Sequence, residues 1–180
     1  MKKIVLALLF CILLTTFAFG SNDYPVIMNN GTVFLNGGIG FRNGIDGDRL
    51  TPPLTMSLDT ALPIMGYPLS IGFITGYFSE EGFLNSQDQA NRVKKHFDYW
   101  PLAMRIAYHA DIFDIPRLDT YLLVTVGGIS RYIKEQKDTT HFWFGVCAGA
   151  RYFFLPRFGA YVELGLDKIQ LLSFGFSLLF

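Results

Sequence analysis

From about residue 32 onward, large apolar side chains recur at every second position in a series of short segments, and a period of two is the signature of a β-strand. The pattern predicts eight strands, over residues 32–42, 54–62, 69–78, 99–112, 120–132, 141–154, 159–166 and 170–180. In the fourth, Trp100, Leu102, Met104, Ile106 and Tyr108 alternate with Tyr99, Ala103, Arg105, Ala107, His109 and Asp111. In the last, Leu172, Phe174, Phe176, Leu178 and Phe180 alternate with Leu171, Ser173, Gly175, Ser177 and Leu179. The fifth is apolar on both sides, with Leu122, Val124 and Val126 against Leu123, Thr125 and Gly127; Thr125 is assigned to the polar side. No Asp, Glu, Lys or Arg falls on the large apolar face of any segment, whereas Arg42, Asp59, Arg105, Asp111, Arg151 and Glu163 all fall on the other.

That segregation decides what each face meets. An Arg or Lys facing hydrocarbon at mid-membrane costs about 2 to 4 kcal/mol, so a membrane barrel must turn its charges inward. A soluble barrel would reverse the faces, and eight strands of Phe, Leu, Met and Trp would overfill an interior that holds little more than packed side chains. Glycines recur on the inward face, Gly38, Gly72, Gly149 and Gly175 among them, and leave room there for Arg and Tyr. The fold expected is therefore all-β: an eight-stranded antiparallel up-and-down transmembrane β-barrel with a small polar lumen. Closure also covers the greasy edge of the last strand.

The connections agree. Residues 63–68, 113–118 and 155–158 are short and alternate with the long polar stretches 43–53, 79–98 and 134–140; only 167–169 is short on the second side. Transmembrane barrels have short periplasmic turns and longer external loops. Lys2 and Lys3, an apolar run over 4–19, and Ala18-Phe19-Gly20 before Ser21 have the layout of a cleavable secretory signal. The expected division is thus 1–20 as signal peptide and 21–180 as one barrel domain. The chain is 51% hydrophobic and 16% aromatic with zero formal net charge, and removing Lys2 and Lys3 leaves 13 basic against 15 acidic residues. Nothing in that balance points to nucleic acid. Cys147 is the one thiol beyond the leader, which excludes an intramolecular disulfide and reads as a small inward filler.

Gly175-x-x-Leu178-x-Phe180 resembles the terminal assembly signal of bacterial outer-membrane barrels, although Phe174 stands where that signal usually has a polar residue. The stretch Gly149–Gly165, GARYFFLPRFGAYVELG, resembles a hairpin common in small barrels of the OmpA and OmpW-like type. The resemblance implies residence in the cell outer membrane, with outer-membrane lipid, periplasmic chaperones and the barrel-assembly machinery as partners, and a host or surface ligand reached through the loops. It does not choose among adhesins, narrow channels, structural anchors and lipid enzymes.

Candidate chemistry is sparse. Arg105, His109 and Asp111 are spaced along one wall, to pack the lumen or to line an ion path. A hairpin centred on Arg157 would set Arg151 opposite Glu163 as an ion pair across the lumen, structural in role or a gate. One class of barrel enzyme carries His-x-Ser on its lipid-facing surface. Here His96, His109 and His141 are followed by Phe97-Asp98, Ala110-Asp111 and Phe142-Trp143, so no catalytic residue is expected. Three scattered His and one Cys lack metal-ligand spacing, and neither a metal nor a cofactor is expected. Trp100, Tyr108, Tyr132, Tyr152 and Phe154 fall near strand ends, where aromatic girdles meet headgroups. Arg92, Lys94, Lys95 and His96 cluster in the second long loop, as a solvated face or a contact for an anionic lipid or polymer. The function expected is a non-enzymatic surface protein with a side-chain-filled lumen; the alternative is a narrow porin-like channel.

Overall fold

The computed structural model describes residues 31–41, 47–62, 64, 67–83, 94–110, 112–113, 115–133 and 139–180. Nine strands lie among them: β1 Val33–Phe41, β2 Gly47–Arg49, β3 Leu54–Ala61, β4 Leu69–Phe83, β5 Lys94–Ala110, β6 Leu118–Ile133, β7 Thr139–Phe153, β8 Phe158–Leu166 and β9 Leu172–Leu179. Eight of them form a closed antiparallel ring in chain order, shut by β1 against β9, while β2 pairs only with β4. Phe180 completes the closure through backbone bonds in both directions with Val33, at 2.9 and 3.0 Å. Arg42 and Asp111, expected in the lumen, lie outside the described residues, as do the leader and Arg92.

Alternation is obeyed around the ring. On β5, Ala103, Arg105, Ala107 and His109 are buried, while Leu102, Met104, Ile106 and Tyr108 are exposed. Thr125 on β6 is buried as assigned. The expected girdle aromatics Trp100, Tyr108, Tyr132, Tyr152 and Phe154 all point outward. Leu171 departs from its assigned inner face: β9 starts two residues later than expected and Leu171 is exposed, with Gln170 turned inward instead.

Strand length divides the wall. β1, β3, β8 and β9 have 8 or 9 residues, whereas β4 to β7 have 15 to 17. The 6 to 9 additional residues of β4 to β7 amount to on the order of 20 Å of strand at ~3.3 Å per residue. This corrects the reading of 79–98 as loop: β4 runs on to Phe83 and β5 begins at Lys94, with Lys94 and His96 on an exposed strand face. Their charges resemble loop composition, yet Phe97 and Tyr99 beside them keep the inward period and are buried. Pro101 sits within β5, where its missing N–H interrupts the ladder between Thr75↔Leu102 and Phe78↔Tyr99. The Thr75 hydroxyl donates to the Pro101 carbonyl at 3.1 Å.

The lumen is filled, but not uniformly polar. At the tall end Ile74, Phe78, Phe97, Tyr99, Ile129, Ile133, Trp143 and Ile169 form an apolar plug, with Phe78 and Tyr99 stacked at 4.8 Å. Ile169 enters from the β8–β9 connection, which folds into the barrel and is tied by an Ile169 N–H bond to the Asp167 carboxylate at 2.7 Å. At the turn end Phe34, Ala61, Phe153 and Leu179 form a second plug. The polar inward side chains therefore gather between the two apolar clusters. Inward Phe, Tyr and Trp at the ends of long strands are indistinguishable by period from inward Arg and Glu.

Candidate functional site: the buried charge network of the lumen

Between the plugs, strands from all sides deliver charge to one centre. Glu163 on β8 accepts from Arg105 Nη2 of β5 at 2.6 Å, from the Tyr121 hydroxyl of β6 at 2.9 Å and from Gln170 Nε2 at 3.5 Å. Arg105 Nε lies 3.3 Å from Asp59 Oδ1 of β3, a charge contact that misses hydrogen-bond alignment. Asp59 Oδ2 in turn accepts from Asn36 Nδ2 of β1 at 2.9 Å and from the Ser57 hydroxyl at 3.2 Å. Towards the turn end, Asp119 of β6 accepts from Arg151 Nη1 of β7 at 3.0 Å and meets His109 Nδ1 at 2.7 Å. His109 Nε2 meets the Ser70 hydroxyl of β4 at 2.8 Å. Every one of these side chains is at least nine-tenths buried.

Aromatic faces pack against the charges. The Arg151 guanidinium lies 4.2 Å from the Phe34 ring centre and 4.8 Å from that of Tyr121, and His109 stacks on Phe34. Gly149 makes this possible, because a Cβ there would enter the Tyr121 ring; Gly38 does the same for the Tyr161 hydroxyl. Desolvating so many charges is costly, and the attraction repays it only where geometry is good and the remaining donors and acceptors are bonded. Two arginines face three carboxylates here, bridged by neutral donors from Asn36, Ser57 and Tyr121.

Of the expected lumen residues, Asp59, Arg105, His109, Arg151 and Glu163 do converge. The expected Arg151–Glu163 pair does not form. The turn places Leu155 and Phe158 opposite each other and leaves Phe154 over, so the ladder registers Arg151 with Tyr161 and Glu163 with Gly149. Glu163 is thereby carried to Arg105, and Arg151 is left for Asp119. Asp119, Tyr121, Ser70, Asn36 and Gln170 were not singled out from sequence. Counting back by twos from Thr125 reaches Tyr121 and then Asp119, which starting the strand at residue 120 cut off. The residues of the expected assembly signal lie at the seam: Gly175 registers with Gly38, Leu178 with Leu35, and the Phe180 ring is exposed. Among the described residues, no group of His, Cys, Asp and Glu could hold a metal ion.

No protein-family model and no curated protein matches this sequence. Solved structures do. A major outer membrane protein from Thermus thermophilus superimposes with a TM-score of 0.54 at 11% identity, over 84% of this chain and 100% of that one. The N-terminal β-barrel domain of Pseudomonas aeruginosa OprF gives 0.51 at 12% identity, over 84% of this chain and 98% of that one. The chain therefore has the fold of the small OmpA-like outer-membrane barrels.

Proposed function

We propose that this chain is an integral outer-membrane barrel with a closed lumen and no enzymatic activity, which presents its tall β4–β7 wall at the cell surface in a structural or adhesive role. The observation that carries the reading is the outer surface of the ring: Leu102, Met104, Phe73, Phe144, Leu164 and Phe176 are each about half or more exposed, while Asp59, Arg105, Asp119, Arg151 and Glu163 are buried inside. Water would penalise such a surface and hydrocarbon does not. The leader routes the chain across the inner membrane, and Phe180 acts in assembly at the β1–β9 seam.

Closure of the lumen is argued from its filling. A path along the axis meets the Phe34–Phe153 plug, then buried ion pairs, then the plug of Phe78, Phe97, Tyr99 and Trp143, and apolar constrictions stop conduction by excluding water. The test is conductance of the refolded protein in a planar bilayer. The expected result is a baseline without stable openings; steady, reproducible openings establish the narrow-channel alternative.

Ser70, His109 and Asp119 have the contacts of a nucleophile, base and orienting carboxylate. Two features argue against turnover. They are 3%, 3% and 5% exposed, with Phe34 stacked on the imidazole, and the surrounding strand amides bond within the ladders rather than forming an oxyanion hole. A fluorophosphonate probe is therefore expected to leave Ser70 unlabelled in the folded protein. Labelling that disappears in His109→Ala would show an active nucleophile and overturn the non-enzymatic reading.

A further inference from the structure

Two of the three short turns carry large apolar side chains that the barrel does not bury. Ile64 and Tyr67 on the β3–β4 turn are 54% and 60% exposed, and Ile112, Phe113 and Ile115 on the β5–β6 turn are 70%, 62% and 43% exposed. Backbone hydrogen bonds close both turns. Tyr67 N–H bonds to the Ile64 carbonyl at 3.0 Å, and Leu118 N–H bonds to the Ile115 carbonyl at 2.9 Å. The turns are also neighbours, because the His109 N–H bonds to the Pro68 carbonyl at 2.8 Å and Leu69 registers with Tyr108. The β7–β8 turn differs: Leu155 to Phe158 are half-buried against the barrel and include Arg157.

We propose that the β3–β4 and β5–β6 turns form a membrane-interface anchor, with Ile64, Tyr67, Ile112, Phe113 and Ile115 inserted among the headgroups and first methylenes of the periplasmic leaflet. The inference rests on the outer-membrane reading given above. Lipid is the occupant because, among the described residues, the patch adjoins the outer belt through Leu62 and Tyr108, which lead on to Ile71 and Ile106, all exposed and apolar. A protein-docking surface would be set off from that belt by a polar rim. Aromatic side chains at the border suit the interface, where an apolar ring and a polar environment meet. The anchor lies on one side only, at the foot of β4 and β5, the strands that rise highest at the other end.

The test is collision-accessibility electron paramagnetic resonance on the protein refolded into phosphatidylethanolamine–phosphatidylglycerol vesicles. A nitroxide is attached at Phe113→Cys or, in a second variant, at Tyr67→Cys, with Cys11 and Cys147 replaced by Ala. Met104→Cys on the outer belt and Lys94→Cys on the exposed part of β5 serve as lipid and water references. The expected oxygen-to-nickel-chelate accessibility ratio at both turn positions is several-fold above that at Lys94→Cys and approaches that at Met104→Cys. A water-like ratio at the turns with a lipid-like ratio at Met104→Cys overturns the anchor and leaves the barrel reading standing. Water-like ratios at all positions overturn both. A turn label screened from both collision partners shows a protein surface packed there, a second copy or another chain, and also overturns the anchor.

Discussion

Replacing Glu163 with Ala is expected to destabilise the folded barrel by about 3 to 5 kcal/mol, the range for breaking a buried ion pair from one side. The carboxylate receives Arg105, Tyr121 and Gln170 at 2.6, 2.9 and 3.5 Å, and its loss leaves Arg105 with Asp59 as its remaining counter-charge. No water reaches the guanidinium to compensate, since Arg105 is 3% exposed. Glu163→Gln should cost less, because its amide oxygen still accepts from Arg105 and Tyr121 although the charge is gone. Urea unfolding of the refolded protein in lipid vesicles, read alongside the heat-dependent gel shift, gives both values. An Ala variant within about 0.5 kcal/mol of the parent, the level of an uninvolved surface change, would mean that the network does not hold the strands together.

Met104→Lys is the complementary change, one residue from Arg105 and on the opposite face. Met104 lies between Leu102 and Ile106 on β5 and registers with Phe73 and Val126 on either side, all of them exposed. An ammonium there faces hydrocarbon from every direction, at a cost of about 2 to 4 kcal/mol near the midplane. Met104→Leu is the control and should stay below about 1.5 kcal/mol. The same unfolding assay separates them. If Met104→Lys matched Met104→Leu, the outer face would not be in lipid, and the location proposed for this protein would fall with it.

The two substitutions show how unevenly the molecule can be read from its sequence. The face of Met104 and Arg105 was legible because successive strand side chains alternate, and a one-residue slip would send every charge on β5 to the wrong side. Strand number and antiparallel order followed from the same period and from turn lengths. The partner of Glu163 was not legible. It depends on the β7–β8 turn pairing Leu155 with Phe158 and on Phe154 being left over beside that pair, which together move the register by one inward position and exchange Arg151 for Arg105. Whether a turn absorbs such a residue is a balance of backbone geometry and packing that alternation does not record. The short β2 was missed for a related reason: Gly47, Asp48 and Arg49 read as loop, and become a strand only because β4 extends far enough to pair with them.

By itself, then, the sequence determined the closed eight-stranded ring, the inward set Asp59, Arg105, His109, Arg151 and Glu163, and the apolar exterior, because each follows from a local period of two and the cost of exposing charge to hydrocarbon. Only the tertiary structure decided which inward residues meet. Asp119 holds both His109 and Arg151, Asn36 reaches Asp59 across β1 and β3, and Phe78, Phe97, Tyr99 and Trp143 gather into a plug from different strands. Those contacts join positions far apart in the chain, and their distances are set by strand register and by closure of β1 on β9. Register and closure are properties of the whole ring, which no single segment carries.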